Sequence, residues 1–210
     1  MSETDVGEVG LHGHEPAHGI TPSQTVGPFF AYALTPGAAY AYAGLAGSDL
    51  ITDDTVGDQI VIEGRVTDGD GMPVPDAMVE IWQADGAGRY SGQDKRANTT
   101  FKGFGRSETI NEGAFSFKTV KPGAVPGPDR KTQAPHINVG VFARGILRRM
   151  FTRIYFDGEP GNVADPILNL VPADRRATLI ARRDGAAKGL PRYVFDICLQ
   201  GPNETVFFEA

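Results

Sequence analysis

The sequence predicts a mostly β protein: a β-sandwich with an extended N-terminal arm and one short helix. Three observations carry this. Apolar residues recur at period two in several short runs, as half-buried strands require. The runs are separated by turn-forming stretches in a chain with 27 glycines and 15 prolines among 210 residues. Only one stretch reads at helical spacing.

Residues 1–18 carry acids, glycines and His12, His14 and His18 without apolar periodicity, and read as a mobile tail. Three histidines there supply no scaffold that would fix metal ligands. Residues 19–48 contain no Asp, Glu, Lys, Arg or His, yet include Phe29, Phe30, Tyr32, Leu34, Tyr40, Tyr42 and Leu45. Length alone admits a membrane span. Pro22, Pro28, Pro36 and several glycines would break the hydrogen bonding that hydrocarbon demands, and no basic flank sets an orientation. Such an arm must bury itself against its own body or a partner chain. The expected division is a tail over 1–18, an arm and subunit interface over 19–57, and a sandwich over 58–210.

From Gln59 the period becomes two. Ile60 and Ile62 alternate with Val61 and Glu63 up to Val66, and a Thr67-Asp68-Gly69-Asp70-Gly71 turn precedes a second strand, Met78-Val79-Glu80-Ile81-Trp82. Further strands are predicted at 114–120, 136–143, 150–156, 193–199 and 205–208. A helix is predicted over 172–183, with proline in its first turn, Leu179 and Ile180 facing inward, a basic last turn and Gly185 beyond.

Composition narrows the function. With 26 acids against 20 bases the net charge is −6, which argues against a nucleic-acid backbone or an anionic membrane as partner. A single cysteine cannot close a disulfide within the chain. No basic, apolar leader opens the sequence, so a cytoplasmic location is expected. There is no Gly-rich phosphate loop, CxxC pair or GxSxG elbow. In the run Pro135-His136-Ile137-Asn138-Val139-Gly140-Val141-Phe142, alternation puts His136, Asn138 and Gly140 on one face and the aliphatic residues on the other. One histidine followed by a neutral amide is a poor ferric site, and a hydrogen-bonded strand histidine is the simpler reading.

Several runs resemble the intradiol ring-cleaving dioxygenases: Thr21-Pro22-Ser23-Gln24-Thr25-Val26-Gly27-Pro28-Phe29-Phe30, Glu80-Ile81-Trp82-Gln83-Ala84-Asp85, Gly88-Arg89-Tyr90, Lys121-Pro122-Gly123 and Ala134-Pro135-His136-Ile137. The resemblance extends from about residue 21 to the C-terminus. It implies a non-haem ferric ion held, in catalytic members, by two tyrosines and two histidines. Tyr90 and His136 match one of each, whereas Val125 stands at the second tyrosine and Asn138 at the second histidine. The implied part for this chain is therefore that of a subunit with no metal ligands and no catalytic residues of its own. A homologous, iron-bearing beta-type chain would hold the Fe(III) cofactor, and the pair would cleave a carboxylated catechol with O2. The same resemblance assigns substrate contact to Thr25, Gly27, Pro28 and Arg144. Glycine and proline give a rigid edge that a flat ring can approach, and a guanidinium can orient a carboxylate. Tyr90 and His136 would then persist as packing and hydrogen-bonding residues. Two other readings are a self-sufficient catechol dioxygenase and a stand-alone β-sandwich binding module.

Overall fold

The computed structural model describes residues 34–35, 46–92 and 100–209. The strands are β1 (Gln59–Thr67), β2 (Met78–Gln83), β3 (Phe104–Glu108), β4 (Ala114–Val120), β5 (Val125–Pro126), β6 (Thr132–Gln133), β7 (His136–Phe142), β8 (Met150–Phe156), β9 (Ile180–Ala187), β10 (Leu190–Val194) and β11 (Ile197–Cys198). One layer is built on β1, flanked by antiparallel β4 and parallel β10. The other is the antiparallel set β3-β2-β7-β8. Strand β9 joins the two: Ile180 and Ala181 run parallel to Tyr155 and Phe156 of β8, and from Arg182 onward it pairs antiparallel with β10.

Side chains from both layers meet in one core. Ile60, Ile62, Phe115, Phe117 and Tyr193 come from one sheet, and Val79, Ile81, Ile137, Val139, Val141, Ile154 and Phe156 from the other. Strand alternation sends these inward and leaves His136, Asn138, Trp82 and Arg153 on the far side of their sheet. Gln83, fully buried, pins the layers together: its amide donates to the Val120 carbonyl at 2.9 Å, and the Thr119 hydroxyl donates to its Oε1 at 2.8 Å. A second cluster of Ala134, Tyr155, Leu168, Val171 and Leu179 lies beyond β8. Of the segment 19–57, the described part packs on this body, with Leu50 in the core and its N–H donating to the Lys118 carbonyl at 2.9 Å.

Strands predicted at 59–66, 78–82, 114–120, 136–143 and 150–156 form within a residue or so of those bounds. The helix predicted over 172–183 does not. Only a 3-10 turn, Arg176–Leu179, forms there, followed by β9. Between residues 46 and 209 the described chain contains no α-helix. Tertiary pairing overrides the local helical spacing, because Ile180 and Ala181 complete the β8 edge and the Asp157 N–H donates to the Ala181 carbonyl at 3.0 Å. The chain then returns through a two-residue hairpin loop. Ala187 pairs with Leu190, and the intervening Lys188 and Gly189 have φ of 52° and 76°, the left-handed pair that such tight loops use. The strand predicted over 193–199 splits at Phe195 and Asp196, where β1 changes partner from β10 to β11. In the region predicted at 205–208 only a single bridge forms, between Phe208 and Phe151.

Candidate functional site

Of the residues singled out by sequence, Tyr90, His136 and Asn138 gather at the end of β7 nearest the Gly88-Arg89-Tyr90 turn. Buried Asp85 builds that turn, since its carboxylate accepts from the backbone N–H of Ala87 at 2.9 Å and of Arg89 at 3.0 Å and from the Arg89 Nε at 2.9 Å. Gly88 has φ +76°, and a Cβ there would stand 2.1 Å from the Ala124 carbonyl oxygen. Only glycine lets the turn lie against the 121–125 loop. Tyr90 emerges stacked on Trp82, ring centroids 4.5 Å apart, and its hydroxyl accepts from the Asn138 amide at 3.3 Å.

His136 is buried, with its ring 5.8 Å from that of Tyr155. Its Nδ1 lies 2.8 Å from the Ala134 carbonyl oxygen. A carbonyl only accepts, so Nδ1 carries the proton and the other ring nitrogen is left as acceptor. Burial, and after it the nearby Arg153 charge, push the imidazole down to about 4. The ring is therefore neutral at neutral pH. Burial also raises the Tyr90 phenol above its ordinary value, so the neutral hydroxyl is favoured there.

A ferric ion does not suit this set. Val125 is buried and aliphatic, paired with Gln133 across the small β5–β6 ladder. Asn138 is a neutral amide already engaged with the phenol it would have to share with a metal. Tyr155, the other tyrosine beside His136, cannot stand in: it is fully buried, its hydroxyl donates to Asp165 Oδ1 at 3.1 Å, and burial raises its pKa strongly. One neutral phenol and one imidazole, with a guanidinium close by, are too few and too weakly anionic to hold Fe(III).

Arg144 lies elsewhere. It follows the far end of β7, and the six residue steps from His136 to Phe142 span about 20 Å at the usual strand rise. Its exposed guanidinium pairs with Asp76 at 3.1 Å, at the mouth of a cleft of about 340 Å³ lined also by Asp68, Val74, Ile146, Met150 and Gln200. The structure thus separates Arg144 from the Tyr90–His136 cluster. Thr25, Gly27 and Pro28 lie outside the described residues. Two residues of the cluster have little signal in sequence. Arg153 is the single charge of β8, close after Arg148 and Arg149 in sequence, and Asp165 sits in a loop after that strand. Only the fold shows that Arg153 faces Asn138 and that Asp165 gathers Ala134 N–H, Tyr155 hydroxyl and the N–H groups of Ile167 and Leu168.

A bridged two-layer fold, a GRY turn folded against the 121–125 loop, and a strand histidine facing that turn define a class. The chain belongs to the intradiol ring-cleaving dioxygenase family, and the family model described as Dioxygenase matches residues 38–201. Within the family it is 49% identical over 196 residues to the protocatechuate 3,4-dioxygenase alpha chain of Burkholderia cepacia, covering 90% of this chain and 97% of that one. To the beta chain of the same organism's enzyme it is 38% identical over 164 residues, 72% of this chain and 68% of the other. The fold matches that of 3-chlorocatechol 1,2-dioxygenase from Rhodococcus opacus with a TM-score of 0.62 at 22% identity, over 76% of this chain and 68% of that one. Among the described residues no helix is long and apolar enough to cross a membrane.

Proposed function

We propose that this chain is the alpha subunit of a heteromeric protocatechuate 3,4-dioxygenase, which cleaves protocatechuate between its hydroxyl-bearing carbons with O2 to give 3-carboxy-cis,cis-muconate. The homologous beta chain holds the ferric ion, and this chain encloses and orients the substrate. The observation that carries the reading is the replacement of two of the four family ligand positions, with Asn138 hydrogen-bonded to the one remaining turn tyrosine. A relative named an alpha chain, matched over nearly its full length, supports the same assignment.

In this proposal Arg144 faces the substrate carboxylate in the partner's site. Its exposure, and its distance from the chain's own Tyr90–His136 cluster, suit a residue that serves a neighbour. Thr25, Gly27 and Pro28 form the apolar edge against the aromatic ring, and the uncharged 19–48 segment forms much of the subunit interface, because obligate interfaces deplete charge. The enzyme acts in aromatic catabolism in the cytoplasm. The test is co-expression of this chain with an iron-ligand-complete homologue, ideally one encoded beside it. Protocatechuate-dependent O2 uptake by the pair, absent from either chain alone, is the expected result. Turnover by this chain alone would overturn the assignment in favour of a self-sufficient dioxygenase, and a stable, inactive monomer that ignores the homologue would favour a binding module.

A further inference from the structure

Alternation along β7 leaves Gly140 on the outer sheet face, in register with Glu80 of β2 on one side and Phe151 of β8 on the other. Glycine leaves a gap on that face, and Arg149 lies in it: a Cβ built on Gly140 would stand 3.0 Å from the Arg149 Cδ and 3.4 Å from its Cγ. The guanidinium continues over the Phe151 ring, 3.8 Å from its centroid and 6.0 Å from that of Phe142, the packing that a planar cation favours on aromatic faces. It ends on Glu80, where Nη1 donates to Oε2 at 3.3 Å. Glu80 is itself buried and also holds the Arg106 Nε at 2.7 Å. Arg149 is thus a strap that ties the chain entering β8 across β7 to β2.

The strap fixes one end of the loop over 143–149, which carries Arg144 and is closed by the pairing of Val141 with Met150. The outgoing end is fixed separately: Ala143 is buried, Ile146 packs against the core, and the Ile146 N–H donates to the Ala143 carbonyl at 3.2 Å. Between the two anchors Leu147 and Arg148 are exposed. The pair of Arg144 with Asp76 is too exposed on the arginine side to hold the loop. We propose that Arg149 is a positioning residue for Arg144. By strapping the returning end of the loop to Glu80, it sets the direction from which the Arg144 guanidinium reaches the substrate carboxylate in the partner's site, and with it the preference for a carboxylated catechol. Gly140 makes room for the strap. The inference rests on the assignment of Arg144 to that carboxylate, and a loop shifted by a fraction of an ångström weakens so directed a contact.

The test uses the assembled enzyme, this chain co-expressed with a ligand-complete homologue, and compares kcat/KM on protocatechuate with that on catechol, which has no carboxylate. Arg149→Ala should lower kcat/KM on protocatechuate about five- to ten-fold, mainly through KM, and cost less than about two-fold on catechol. Gly140→Val keeps the arginine but fills the gap it crosses, and should give the same selective loss. It decides the matter if Arg149→Ala fails to assemble. In an Arg144→Ala background, Arg149→Ala should cost no more than about two-fold further, since a residue that acts through another adds nothing once the other is gone. A protocatechuate-to-catechol ratio unchanged by Arg149→Ala and Gly140→Val, while Arg144→Ala still lowers it, would overturn the proposal and leave the Arg144 assignment standing. Equal losses on both substrates would also overturn it, as a role in folding alone, and so would losses from Arg144→Ala and Arg149→Ala that simply multiply. If Arg144→Ala itself leaves the ratio unchanged, the Arg144 assignment falls and this inference falls with it.

Discussion

If Arg144 orients the substrate carboxylate in the partner's site, Arg144→Ala in the assembled enzyme should lower kcat/KM for protocatechuate by about 10–100-fold. That is the loss of one charge-assisted contact, about 1.5–3 kcal/mol. The structure says what else the substitution does. Within the chain Arg144 pairs with Asp76 at 3.1 Å, with 68% of its own side-chain surface exposed and 16% of that of Asp76. So exposed a guanidinium contributes little stability through the pair, at most about 1 kcal/mol. A structural and a functional role then separate by assay. On catechol, which has no carboxylate, Arg144→Ala should cost less than about three-fold, whereas on protocatechuate the full loss appears. Asp76→Asn, which releases the guanidinium from its own-chain partner, should leave protocatechuate turnover intact. Equal losses on both substrates, or an unchanged kcat/KM on protocatechuate, would refute the assignment.

Asp165→Ala removes the acceptor of four hydrogen bonds at a fully buried site. At about 1–3 kcal/mol for each donor stranded, less whatever relaxation or water recovers, unfolding free energy by urea denaturation should fall by at least about 3 kcal/mol. His136 gives a pH signature. Its folded pKa, about 4, lies below its ordinary 6.5, so the stability is fully present above about pH 6.5 and is lost as pH falls toward 4. The loss is up to about 3 kcal/mol, and His136→Gln should flatten that part of the urea-midpoint profile against pH. Deleting residues 1–30 should abolish co-purification with the partner chain, and an intact complex would remove the arm from the interface.

The sandwich was legible where both sides of a strand face contrasting surroundings. Ile137, Val139 and Val141 mark the inward face of β7 by alternating with His136, Asn138 and Gly140, and all three lie in the core, although His136 on the other face is buried as well. Strand β3 was not legible, because Phe104-Gly105-Arg106-Ser107-Glu108 lacks a run of apolar residues and forms by pairing with β2. The 172–183 stretch was misread for a related reason. Its Pro, Leu and Arg spacing suits a helix locally, but the open edge of β8 claims Ile180 and Ala181. At the site, the Tyr90 and His136 positions and the two replaced ligands follow from motifs. The contact between Asn138 and the Tyr90 hydroxyl, 48 residues apart in sequence, and the facing of Asn138 and Arg153 across two strands, depend on register and loop docking that no single motif encodes.

The most direct measurement is iron content and protocatechuate-dependent O2 uptake of this chain purified alone and then paired with a ligand-complete homologue. The account predicts no bound iron and no uptake for the lone chain, with both present in the pair at one iron per alpha-beta unit. Stoichiometric iron and turnover in the lone chain would contradict it, and would mean that Tyr90 and His136 belong to a working ferric centre.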